Sequence, residues 1–149
     1  MGVFTAEIEL FNEDDEAMVR RGYLSAAETR RETVRAVVDS GASMLVIPPD
    51  MGLRLGLNVL DRRVLGIADG SAIDCDIVGP VKVRFGDRFS IGSAIAVPGR
   101  SNVLLGALQM EEMDLIIDPL AGQLIPNPRS PERAMVFAVG AILLGPAPR

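Results

Sequence analysis

Carboxylates are the plentiful reactive groups of this chain, with twenty Asp and Glu against no histidine and one cysteine, Cys75. Without histidine, Ser-His-Asp and Cys-His nucleophiles and His-liganded zinc cannot be built. Cys75 lies between Asp74 and Asp76, whose charges oppose a thiolate, so it reads as structural. Asp74-Cys75-Asp76 and Asp14-Asp15 lack a calcium-loop pattern, so neither a metal nor another cofactor is expected. The acid that stands out is Asp39, in Asp39-Ser40-Gly41-Ala42 between the apolar runs Ala36-Val37-Val38 and Leu45-Val46-Ile47. A carboxylate on the rim of a core needs hydrogen bonds or partial protonation to persist there. Gly41 lets the backbone turn sharply and bring main-chain N–H groups towards it, and Ser40 adds a hydroxyl. On its own the tetrapeptide is equally a turn with a self-capping Asp.

Two strands must carry that turn, Thr33 to Val38 arriving and Ser43 to Ile47 leaving. Pro48-Pro49 stops the second, and Asp50 is expected to cap a short helix through Leu55 that ends at Gly56. Val59 to Ile67 and Ala72 to Val78 flank Ala68-Asp69-Gly70-Ser71, where Asp-Gly is a strong hairpin signal. A projecting hairpin with such small residues at its tip could cover a site, or be a turn and nothing more. Gly79-Pro80 is expected to break the chain before a second hairpin, Val81 to Phe85 with Phe89 to Ile91. A strand over Ala94 to Val97 and a loop over Pro98 to Asn102 lead to the apolar run Val103-Leu104-Leu105-Gly106. Ala107 to Leu115 reads as a short helix with Leu108 and Met113 or Leu115 facing inward, and Ile116 to Ile125 as a hairpin with Asp118 in its turn.

Before the turn, Phe4, Ala6, Ile8 and Leu10 alternate with polar residues as in a half-buried strand. Asn12 to Glu16 reads as an acidic turn, and Ser25-Ala26-Ala27-Glu28 has capping-box spacing for a helix over Ala26 to Arg31. After the last hairpin, Ala134 to Leu144 reads as a terminal strand packed locally or against a second subunit, with membrane association as the alternative.

The 149 residues fit one domain, and 48% apolar content is enough for a core. Five Phe, one Tyr and no Trp leave Val, Ile, Leu, Ala and Met to fill it, which suits a β-barrel or sandwich. The net charge of −5, with Lys82 the single lysine and no basic run longer than two residues, argues against nucleic acid as a partner. The longest apolar run, Ala134 to Gly145, is twelve residues. A spanning helix needs roughly 20. With no basic-then-apolar leader and no intrachain disulfide available, a soluble cytoplasmic protein without a membrane partner is expected.

Taken in order, Val38-Asp39-Ser40-Gly41-Ala42, Ile47-Pro48, Leu55-Gly56-Leu57, Asp69-Gly70-Ser71 and Val103-Leu104-Leu105-Gly106 before a short helix resemble the retropepsin-like aspartic proteases, in their bacterial single-domain branch. Val78-Gly79-Pro80-Val81, Met110 to Leu115, and Asp118-Pro119 through Asn127-Pro128 extend the likeness over roughly residues 3 to 133. The resemblance implies a mainly β fold, a closed barrel with one or two short helices, active as a two-fold homodimer. It divides the chain into a protease domain over 1–133 and an apolar extension over 134–149, onto which no role carries. It makes Asp39 the catalytic aspartate and Ser40, Gly41 and Ala42 its turn, with Ser40 also bracing the partner turn across the dimer. Ala68, Asp69, Gly70 and Ser71 become the tip of a substrate-covering flap, and Leu104, Leu105 and Gly106 the support beneath the turn. No arginine follows Gly106, where viral members commonly place one that braces the dimer.

The chemistry supplies its own reason for two copies. Hydrolysis of a peptide bond by carboxylates needs one to take a proton from water and another to donate one to the carbonyl oxygen. The chain has one Asp-Ser-Gly, so the second acid must come from a second protomer across a two-fold axis. Carboxylates about 3 Å apart share one proton and titrate as a pair. The activity that the resemblance implies is that of an aspartic endopeptidase acting on peptide or protein substrates. The alternative is a peptide-binding or dimerisation module that keeps the same barrel without catalysis.

Overall fold

The computed structural model describes residues 3–136 of the chain. Strand β1 (Thr5–Asn12) buries Ala6, Ile8 and Leu10 on one face, as its period-2 pattern requires. Instead of an acidic turn, the chain then enters helix α1 (Glu13–Arg20). The Asn12 side chain accepts from the Asp15 N–H at 2.9 Å, and four consecutive acids, Glu13 to Glu16, face the positive end of the helix dipole. The Ser25 capping box is formed, with Glu28 accepting from the Ser25 N–H and hydroxyl. It starts only a 3-10 turn over Ala26–Glu28, because β2 (Arg31–Val38) begins directly after it.

Strand β2 delivers the Asp39 turn and β3 (Leu45–Ile47) leaves it. Helix α2 (Pro49–Arg54) follows with Pro48, and not Asp50, at its cap. Asp50 lies inside the helix and pairs with Arg54 at 2.5 Å, one turn along. Strands β4 (Asn58–Gly66) and β5 (Ala72–Phe85) form the Asp69-Gly70 hairpin. β5 runs through Gly79-Pro80 without a break, since the pairing of β5 with β6 (Arg88–Ala96) shifts register between Val78 and Val81 and absorbs the proline there. β6 likewise joins the two short strands expected at Phe89 and Ala94.

Strand β7 (Leu104–Leu105) leads through Gly106 into helix α3 (Ala107–Met113). Met110 and Met113 are buried in this helix, whereas Leu108 is 53% exposed, contrary to its expected inward placement. Strands β8 (Leu115–Asp118) and β9 (Gln123–Pro126) pair as the final hairpin, with the Asp118 side chain accepting from the Leu120 N–H at 3.0 Å. The described residues thus hold three short α-helices, where one or two were expected. Ala134, Met135 and Val136 are exposed and outside any strand, and the rest of the expected terminal strand lies outside the described residues.

The main sheet runs β1-β2-β7-β3-β6-β5-β4, and β1 pairs a second time with β5 along Glu9 to Asn12. Ile8, Leu10, Leu45, Ile47, Val81, Val83, Leu105 and Met113 fill the space that these pairings enclose. A smaller apolar cluster, Val46, Cys75, Val97 and Leu104, lies apart from that core. Burial first, and then the charges of Asp74 and Asp76, push the Cys75 thiol above its ordinary range. The mainly β class agrees with the sequence, and Cys75 is buried. No helix among the described residues is long and apolar enough to cross a membrane.

Candidate active site

Asp39 is the first residue after β2, and non-local backbone bonds fix the strand that presents it. Val37 and Val38 pair in parallel with Leu104 and Leu105, and the Asp39 N–H continues this ladder by donating to the Leu105 carbonyl at 3.0 Å. On the other edge, the Val38 N–H donates to Phe4 O at 2.8 Å. The main chain at Asp39 is therefore held from both sides while its side chain is exposed.

Within the turn, the Gly41 N–H donates to Asp39 Oδ1 at 2.9 Å, and the Ala42 N–H donates to Asp39 O at 3.1 Å. Gly41 does not need a left-handed backbone here. It needs the space, because a Cβ would sit 3.1 Å from Asp39 Oδ1. Ser40 is exposed, and its hydroxyl makes no hydrogen bond among the described residues.

Gly106 locks the turn from below. A Cβ on it would lie 2.5 Å from Met44 O and 2.8 Å from Ala42 O, so β7 approaches the turn as closely as bare backbone allows. The start of α3 adds two clamps, Ala107 N–H to Ala42 O at 2.7 Å and Leu108 N–H to Ser43 O at 3.2 Å. Leu104 and Leu105 are buried, and Gly106 backs the turn directly.

Asp39 opens onto a cleft of about 410 Å³. Val46, Val97 and Leu104 supply its buried apolar side, and Leu65, Gly66, Ile67 and Ala68 of the β4–β5 hairpin border it. The hairpin tip is ordered by its own acid, since Asp69 Oδ1 accepts from the Ser71 N–H at 2.8 Å and the Ser71 hydroxyl at 2.5 Å. These bonds hold the Asp69 carboxyl below the usual range. Gly70, at φ +90, occupies a left-handed position that suits glycine.

Of the residues singled out in the sequence, the cleft gathers Asp39, Ala68 and Leu104. Ser40, Gly41, Ala42, Leu105 and Gly106 build the turn and its support, and Asp69, Gly70 and Ser71 form the hairpin tip without lining the cleft. Sequence reasoning missed Val46, Val97 and Arg100 as cleft residues. Arg100 sits in the Pro98 to Asn102 loop, which carried no signal beyond its turn-forming residues.

A family model described as aspartyl protease matches residues 26–108 of the chain. Among solved structures, the chain is similar to the retroviral protease-like domain of Ddi1 from Leishmania major, at 19% identity over 65% of this chain and 88% of that one, with a TM-score of 0.46. A comparison with curated proteins finds no match.

Proposed function

The chain belongs to the aspartyl protease family, whose model spans more than half of it, and we propose that it is an aspartic endopeptidase working as a homodimer. Each protomer contributes one Asp39, and the two carboxylates share a proton and hold a water between them. One carboxylate takes a proton from this water as its oxygen attacks the scissile carbonyl, while the partner acid protonates the carbonyl oxygen. The resulting diol collapses as the C–N bond breaks and the amine takes up a proton, giving an acid and an amine. The observation that carries this reading is the exposed Asp39 carboxylate at the mouth of an apolar cleft, on a turn clamped by β7 and Gly106.

The same reading makes Ser40, Gly41 and Ala42 the active-site turn and Leu104, Leu105 and Gly106 its support. Ala68, Asp69, Gly70 and Ser71 become a flap over an extended peptide that pairs with strand edges through its backbone. Residues 1–133 act as the catalytic domain on a closed barrel, consistent with the second pairing of β1 to β5, and 134–149 as an extension. A cytoplasmic setting fits the lone cysteine.

The test is Asp39→Asn. The variant keeps the wild-type fold and mass in solution and loses turnover of a blocked decapeptide mixture with varied central apolar pairs. Mixed in excess with wild type, it suppresses wild-type activity by forming heterodimers. Undiminished cleavage by the pure variant, or wild-type activity indifferent to the mixture, overturns the proposal.

A further inference from the structure

Two charged side chains line the cleft among the described residues, Asp39 and Arg100. Six arginines elsewhere, Arg20, Arg30, Arg54, Arg62, Arg63 and Arg84, pair with carboxylates. Arg100 makes no such pair among the described residues, with Asp39 or with any other acid, and it is exposed. Arg21, Arg31, Arg35, Arg88, Arg129 and Arg133 also lack an ion pair among the described residues, but none of them lines this cleft.

The loop that carries Arg100 is anchored. Its N–H donates to Val97 O at 3.2 Å, closing a tight turn in which Gly99 takes φ +80, and Val97 itself is a buried residue of the cleft. A guanidinium carried on an anchored backbone beside an apolar surface presents a planar fork of donors, and its natural partner is a carboxylate held bidentately. In a chain of net charge −5 that leaves this guanidinium unpaired, that carboxylate is best supplied from outside the fold.

We propose that Arg100 is a specificity-determining residue that binds a carboxylate of the peptide, so that the cleft selects substrates in which an acidic group lies close to an apolar residue. This rests on the reading of the cleft as a peptide site. The carboxylate is either a Glu or Asp side chain or the free C-terminus of the peptide, and the apolar neighbour is received by Val46, Val97 and Leu104. In a two-fold dimer each protomer brings one Arg100, so a side-chain preference falls at two positions placed symmetrically about the scissile bond.

The experiment uses decapeptides with a central Leu-Phe pair and Glu, Gln or Lys at each flanking position in turn, blocked at both ends. A second set leaves the C-terminus free. Cleavage by wild type and binding to Asp39→Asn, by fluorescence polarisation, are both measured, so that selectivity is read even where nothing is cleaved. We expect Glu peptides to be preferred over their Gln counterparts by about tenfold at the responsive positions. Arg100→Ala removes the ratio, and Arg100→Glu turns it towards Lys. If the free terminus is the partner, the tenfold difference appears between unblocked and blocked peptides and shows the same dependence on Arg100. Cleavage without any acid or terminus preference overturns the role of Arg100 and leaves the peptidase intact. Absence of cleavage, with Arg100-dependent binding of acidic peptides retained, overturns the peptidase and keeps the role. Equal affinity for every peptide, including no binding at all, overturns the role.

Discussion

Replacing Gly106 by alanine tests the proposed architecture of the site at one atom. Gly106 has φ −93 and ψ 178, an extended conformation open to any residue, so the requirement for glycine is one of space. The added Cβ would stand 2.5 Å from Met44 O, 2.8 Å from Ala42 O and 2.8 Å from the Met44 carbonyl carbon. All three are main-chain atoms, which cannot swing aside as the end of a side chain can. Relief requires β7 and the Asp39 turn to part by roughly 1 Å, since unstrained contacts lie near 3.5 Å. Overpacking of this kind costs about 1–3 kcal/mol, and the entropy lost from the unfolded chain on Gly→Ala returns about 0.4–1 kcal/mol. The net is about 1–2 kcal/mol, a fall in Tm of about 2–8 °C for a domain near this size. Activity should suffer more. The Asp39 N–H is bonded to Leu105 O, one residue before the clash, and moving a reacting group by about 1 Å can cost on the order of 100-fold in rate. Urea unfolding followed by circular dichroism, alongside cleavage of the decapeptide mixture, reads both effects. Gly92→Ala is the control, because its Cβ would meet nothing within 4 Å. If Gly106→Ala matches Gly92→Ala in stability and rate, the account of how the turn is held is wrong.

Two further outcomes follow from groups away from the cleft. Asn12 is 2% exposed, donates to Leu55 O at 2.8 Å and Gly56 O at 3.2 Å, and caps α1, so Asn12→Ala should destabilise by about 2–3 kcal/mol, measured as a shift of the urea midpoint. The Asp114 carboxyl is held below its usual range by the Ser130 hydroxyl first, then by the Met135 N–H and the Asn127 side chain, so its contribution to stability is present at neutral pH and is lost as pH falls through the lowered folded-state value. Asp114→Asn, which tolerates the same left-handed backbone, should therefore show a smaller drop in Tm than wild type between pH 6 and about pH 3, and equal drops would refute the assignment.

What the sequence conveyed well was local. Alternation placed β1, apolar runs placed the strands around Asp39, and Asp69-Gly70 placed the hairpin, because pattern and turn chemistry act over a few residues. Its failures came where a local signal was met by a longer-range one. Gly79-Pro80 reads as a break, yet the proline sits where the β5–β6 ladder slips, so the missing N–H costs no regular pairing. Ser25 to Glu28 forms its capping box, but β2 pairs with β1 from Arg31 onward and leaves no room for a helix. Leu108 is expected to face inward in α3 and is nonetheless exposed, because Gln109, Met110 and Met113 set the buried face and Leu108 falls on the other side of the helix.

The surroundings of Asp39 show where reading by residue type stops. A carboxylate on the rim of a core is expected to need hydrogen bonds or partial protonation. The turn supplies one, from Gly41 to Oδ1, and among the described residues the second oxygen accepts nothing. That arrangement is inexpensive in one protomer because water reaches the exposed group. It becomes costly once a second copy or a substrate excludes that water, and a partner able to share a proton relieves much of the cost. An acid left with an open coordination side, on a turn braced through backbone bonds at Asp39, Ala42 and Ser43, is thus matched to a site that is completed from outside the protomer. Arg100 follows the same logic at lower stakes, as a charged group on an anchored loop whose partner is absent from the described fold. Neither property resides in the residue itself or in its neighbours along the chain. Both depend on the roughly sixty residues between Asp39 and Arg100 folding the two turns onto one cleft.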